Sequence, residues 1–139
     1  MHYVVLSTIV LRKRALMRVF KNKPFDRWAK NGGLTDSRLL EAVDEIEQGL
    51  VDADLGGNVV KKRVAFGSRG KSGGLRTLLA FRKGDKAFFI YGFAKNVRAT
   101  IKPDELKGLK QLAKAYFGLD AGALSKALTS GALIEVERR

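Results

Sequence analysis

The sequence predicts an α+β fold, a small antiparallel sheet packed against N-terminal and C-terminal helices. Three observations lead there. Apolar residues recur at helical spacing before residue 50 and again after Pro103, they alternate with period two or run as short β-prone blocks between Asn58 and Phe93, and 139 residues suit one domain better than two. With 45% hydrophobic residues the chain can build a core despite a net charge of +13, so disorder throughout is not expected.

Met17-Arg-Val-Phe-Lys-Asn reads as a short first strand. After Pro24 a helical stretch carries Phe25 and Trp28, and Asn31-Gly32-Gly33 stops it with residues that tolerate positive φ. Thr35 caps a second helix whose Leu39, Val43, Ile46 and Leu50 form one apolar stripe, with Glu41, Asp44, Glu45 and Glu47 largely off it. From Asn58 to Phe66 alternation puts Lys61 and Arg63 on one face of a strand and Lys62, Val64 and Phe66 on the other. Leu75 to Phe81 and Ala87 to Phe93 are two strands joined through Arg82-Lys83-Gly84-Asp85-Lys86, a hairpin with glycine at its turn. A further short strand is expected from Val97 to Ile101. Pro103 suits the first turn of a helix, Asp104 and Glu105 favour its N-terminus, and Leu106, Leu109, Leu112, Ala113, Tyr116 and Phe117 make its buried stripe. A last helix at about Ala121 to Thr129 gives way at Gly131 to a closing strand, Ala132-Leu-Ile-Glu-Val. Residues 17–139 are expected to form the single domain. Residues 1–16 are an N-terminal extension that reads equally as an upstream addition or as an added edge strand or arm.

The apolar run Tyr3 to Leu11 is far short of the ~20 residues of a membrane helix, and its basic cluster follows it where a secretory signal would place one in front. The expectation is a cytoplasmic protein with no membrane partner. Segments 1–16, 17–55, 56–102 and 103–139 carry +3, −2, +11 and +1, so nearly all the excess lies in the β-rich segment, where twelve bases meet one acid, Asp85. Such concentration points to a polyanion, with nucleic acid foremost.

Chemistry narrows by elimination. There is no Cys, which removes disulfides, thiolate zinc sites and thiol nucleophiles, and the single His, His2, leaves almost no imidazole catalysis. Ala65-Phe-Gly-Ser-Arg-Gly-Lys71-Ser72 nearly fits a phosphate-binding loop, but Gly73-Gly74 and a β-prone run follow where that loop needs a helix. It reads instead as a cationic connection between strands. The basic segment has no carboxylate cluster for a hard cation, so no metal and no cofactor are expected. What remains is catalysis by cations, with RNA supplying its own 2′-hydroxyl as nucleophile.

Lys61-x-Arg63, Gly74-Leu-Arg76, Gly84-Asp85 and Gly92-Phe-Ala-Lys95, set between two N-terminal helices and a C-terminal one, resemble the RelE/ParE toxin superfamily. The stretch from Lys71 to Asn96, followed by Ile101-Lys-Pro-Asp-Glu-Leu, is similar to a RelE-like branch of type II toxin–antitoxin systems, and the likeness covers about residues 17 to 136. The resemblance implies a metal-independent mRNA endoribonuclease, associated with the ribosome, that inhibits translation and growth and is neutralised by a cognate antitoxin. It also implies a scissile phosphate surrounded by Lys61, Arg63, Arg76 and Lys95, the candidate catalytic set. Lys62, Arg69, Lys71, Arg82 and Arg98 are candidates for further RNA binding. The family often adds a Tyr or His near the C-terminus, and here Ile134-Glu-Val-Glu-Arg-Arg has neither. Tyr91 and Tyr116 read first as packing aromatics and only second as replacements. Two other classes stay open: a noncatalytic basic module that binds RNA or an antitoxin, and a ParE-type inhibitor of DNA gyrase.

Overall fold

A computed structural model describes residues 17–65, 74–95, 98 and 100–138. Among them the elements run β1 (Arg18–Asn22), α1 (Lys23–Asn31), α2 (Asp36–Glu47), β2 (Ala53–Asp54), β3 (Val59–Val64), β4 (Leu75–Phe81), β5 (Lys86–Ala94), α3 (Pro103–Phe117), α4 (Ala121–Ser130) and β6 (Leu133–Val136). Three of the helices start where short polar side chains can satisfy orphan amides. Asn22 accepts from the Phe25 amide at 2.9 Å, Thr35 from the Arg38 amide at 3.4 Å and Asp120 from the Ala123 amide at 2.8 Å.

The six strands form one sheet in the order β2-β3-β4-β5-β1-β6. β4 pairs antiparallel with both β3 and β5, in line with the expected hairpin, whereas β1 pairs parallel with β5. Interior position explains the sequence of β5: Phe88 and Phe89 point to opposite faces, both are fully buried, and the run of apolar residues leaves no polar face. One layer, with α1 and α2, encloses Phe25, Leu39, Val43, Leu79 and Phe89. The other, with α3 and α4, encloses Phe20, Leu78, Phe88, Leu124 and Leu133. A register shift at Leu78/Leu79 places an extra residue on β5, so that Leu78 faces Tyr91 while Leu79 faces Phe89. Gly92 is required on the α1 side, because a Cβ there would lie 2.2 Å from the Trp28 ring.

Two expectations need correction. Leu50 does not continue the stripe of α2, which ends at Glu47; past Gly49 (φ 90°) the chain has turned, and Leu50 is 54% exposed. The strand from Val97 to Ile101 is not supported by its described members: Arg98, Thr100 and Ile101 belong to no strand. The Arg98 amide bonds back to the Ala94 carbonyl at 3.3 Å, which turns the chain where a strand would extend it. The N-terminal extension and most of the phosphate-loop-like segment lie outside the described residues.

Candidate functional site

Strand register decides which basic side chains meet. Arg63 of β3 lies directly opposite Arg76 of β4, and Arg76 opposite Phe93 of β5. Lys61 is two residues from Arg63 on the same face, opposite Leu78, which faces Tyr91. Three cations and two aromatics therefore share the face that carries α3 and α4, at the end of the sheet where β3 finishes and β4 begins. Facing residues on neighbouring strands are about 5 Å apart and alternate ones along a strand about 6.6 Å, so Lys61, Arg63 and Arg76 lie within reach of a single phosphate. Lys95 follows Ala94, whose partner is Leu75, so its backbone closes the same end of the sheet, and it is exposed.

Like charges directly opposite one another destabilise a sheet, so the Arg63/Arg76 pair works against the fold. Part of that repulsion is offset by Asp52, just before β2: its carboxylate accepts from the Arg63 Nε at 2.9 Å and from the Arg63 amide. Arg76 donates to the Gly74 carbonyl at 3.5 Å and, like Lys61, makes no ion pair among the described residues.

Of the residues expected to touch RNA, Lys62 and Arg98 are used elsewhere, and Arg82 stands away from the Arg63/Arg76 cluster. Lys62 is only 5% exposed and points to the α2 side, where its Nζ meets Glu45 at 2.9 Å and donates to the Leu50 carbonyl at 2.7 Å. Arg98 is a structural brace between β5 and α3. It donates to the Glu105 carboxylate at 2.9 Å, the Thr100 carbonyl at 2.9 Å and the Tyr91 hydroxyl at 3.2 Å. The guanidinium holds the Glu105 carboxyl down to about 2, helped by the Lys102 amide. Arg82 lies one residue past the far end of β4, six residues or ~20 Å from Arg76. There its guanidinium sits 4.3 Å over the Phe117 ring. Arg69 and Lys71 lie outside the described residues.

Tyr91 half-emerges on the site face with its hydroxyl held by Arg98, while Tyr116 stacks on Phe88 at 5.0 Å and burial raises its phenol above the ordinary value. Among the described residues no group of three or more His, Asp or Glu side chains is placed to hold a metal ion, and no helix is long and apolar enough to cross a membrane. Asp52, Glu45 and Glu105 could not be paired with these bases from the sequence, because each stands outside the basic segment whose charge it neutralises.

The family model described as the RelE toxin of the RelE / RelB toxin-antitoxin system matches residues 17–136, a span that includes both apolar layers and all four candidate catalytic residues. The chain belongs to the RelE toxin family. It is thus the toxin of a toxin–antitoxin system, with an antitoxin as its protein partner, and its α+β architecture of four helices and a six-stranded sheet among the described residues agrees with the RelE fold. No curated protein matches the chain.

Proposed function

We propose that this RelE-family toxin is a metal-independent mRNA endoribonuclease that acts in the cytoplasm on ribosome-bound messenger and so stops translation. The observation that carries the reading is the cross-strand pair Arg63/Arg76 with Lys61 beside it on the same sheet face, a like-charge cluster that a phosphodiester would relieve. Lys61 would take the proton from the 2′-hydroxyl as its oxygen attacks phosphorus. Arg63 and Arg76 would neutralise the charge that builds on the non-bridging oxygens, and as the bond from phosphorus to the 5′-oxygen breaks, that oxygen would take a proton from Lys95 or from water. The products are a 2′,3′-cyclic phosphate and a 5′-hydroxyl.

The four groups need supply only orientation, proton removal and charge neutralisation, because the nucleophile is already beside its phosphorus. Tyr91, half-exposed on the same face with the buried Phe93 ring 6.1 Å behind it, offers ring surface to a base next to that phosphate. Expression without antitoxin should halt growth with transcripts cut, and Arg76→Ala should lower cleavage by about 10²–10³-fold while leaving the fold intact. Primer extension on transcripts, with and without excess chelator, reads the result. Arrest with transcripts intact would favour a noncatalytic binder, which the Arg63 to Asp52 pairing also suits. Blocked supercoiling with intact transcripts would favour a gyrase inhibitor.

A further inference from the structure

A second cationic surface stands apart from the Arg63/Arg76 cluster. α3, packed across β3, β4 and β5, turns Lys107, Lys110 and Lys114 toward the Gly57-Asn58 turn that precedes β3, and Arg82 closes the end. Together they line an open groove of about 630 Å³ whose remaining walls are Gln111, Phe117 and Gly118. At positions i, i+3 and i+7 the three lysines fall within one face of the helix, with about 4.5 Å and 6 Å of rise between neighbours.

Among the described residues no carboxylate lines the groove. Most other cations are drawn to acids: Lys21 to Asp26 and Asp36, Lys62 to Glu45, Arg63 to Asp52, Arg98 to Glu105, Arg138 to Asp44, and at the end of the groove itself Arg82 meets Asp85 at 3.5 Å. Lys107, Lys110 and Lys114 have no such partner among the described residues, and like charges at i, i+3 and i, i+4 oppose the helix that carries them. Turn and helix approach closely at this point. The Lys110 stem lies against the turn so tightly that a Cβ at Gly57 (φ 59°) would fall 2.8 Å from its Cγ.

We propose that this groove is a track for the backbone of single-stranded RNA, continuing the strand away from the Arg63/Arg76 cluster; the proposal rests on the reading of that cluster as an RNA site. The row of lysines begins two residues beyond Glu105, whose partner Arg98 holds Tyr91 on the site face, and ends at Arg82 at the far edge of β4. A phosphate chain leaving the cluster along α3 would meet a cation every few ångströms. An acidic helix fits less well, because such partners anchor through apolar side chains, and the one ring that lines the groove among the described residues, Phe117, is already capped by Arg82 and packed edge-on against Phe88.

The test is equilibrium binding of an uncleavable 2′-O-methyl RNA of about 15 nucleotides, measured over a range of salt concentrations, beside a glutamate-rich peptide of equal charge. The variant Lys107→Ala/Lys110→Ala/Lys114→Ala should bind the RNA at least about tenfold more weakly, and its salt slope should fall by about 2, roughly 0.7 for each phosphate left without its lysine. Because the Lys110 stem also packs, Lys107→Ala/Lys114→Ala serves as the second variant and should reduce the slope by about 1.4. Unchanged RNA affinity and slope in both variants would overturn the proposal. Loss of peptide binding with RNA binding kept would overturn it in favour of a protein partner. A wild-type protein that binds the RNA through these lysines yet leaves messenger uncut would sink the ribonuclease reading and keep the groove, while cutting that persists with unaltered binding in the variants would do the reverse.

Discussion

Lys61 and Lys62 are neighbours with opposite roles, because a strand sends consecutive side chains to opposite faces. Lys61 stands with Arg63 on the α3 side, and Lys62 is buried against α2 with Glu45 and the Leu50 carbonyl. Alternation made the split legible; the fate of Lys62 was not, since Glu45 is seventeen residues away and only the packing of α2 on β3 brings it near. Lys62→Ala should therefore cost about 1.5–3 kcal/mol of stability, the loss of a buried charge-assisted hydrogen bond and its ion pair, with the salt slope of RNA binding unchanged. Lys61→Ala should do the opposite, reducing cleavage with little effect on stability. Urea denaturation and RNA binding on the two variants check both halves.

Elements were legible wherever a local signal sufficed. Pro24 and Pro103 open helices, Thr35 caps α2, Gly84 (φ 75°) turns the hairpin and Gly131 (φ 82°) ends α4. The connection from β5 to α3 departs from the expected strand because its conformation is set by a side chain. Arg98 gathers Glu105, Tyr91 and the Thr100 carbonyl, and Glu105 in turn accepts from the Lys102 amide at 3.0 Å to cap α3. The Glu105 carboxyl, held near 2 against its ordinary 4.5, stabilises the folded state above pH 4.5, and that stabilisation is lost progressively as pH falls from 4.5 toward 2. Glu105→Gln should remove this share of the acid sensitivity, and the Glu105 carboxyl should titrate near pH 2 in the wild type. Carbon-detected NMR titration reads the pKa directly; a midpoint near the ordinary value would mean that the brace does not form in solution.

At the scale of the whole molecule the sheet separates two apolar layers that share its strands, so neither can be lost alone. Trp28 reports on the layer with α1 and α2, while Phe88, stacked on Phe20 and Tyr116 at 5.0 Å each, sits in the other. Trp28 is the only tryptophan, which makes its fluorescence a probe of one side. Unfolding followed by Trp28 and by far-ultraviolet circular dichroism should coincide, and Phe88→Ala should shift both by the same amount, about 3–5 kcal/mol, even though Phe88 lies across the sheet from Trp28. Separate transitions would show that the layers are independent.

The sequence by itself determined the fold class, the order of nearly all the elements, the faces of β3 and the presence of a large cationic surplus in the β-rich segment. These follow from period-two and period-3.6 patterning and from caps and turns, which act over a few residues. Tertiary structure decided what each cation faces. Of the bases counted in residues 56–102, Lys62, Arg63 and Arg98 are engaged by acids from outside that segment, and Arg82 is carried to the opposite end of its strand from Arg76. Conversely, Lys107, Lys110 and Lys114 belong to a segment whose charges nearly cancel in sum, yet α3 turns them into a groove with no acid among the described residues. Coulomb attraction depends on distance in space, and a tally along the chain measures only how many charges there are.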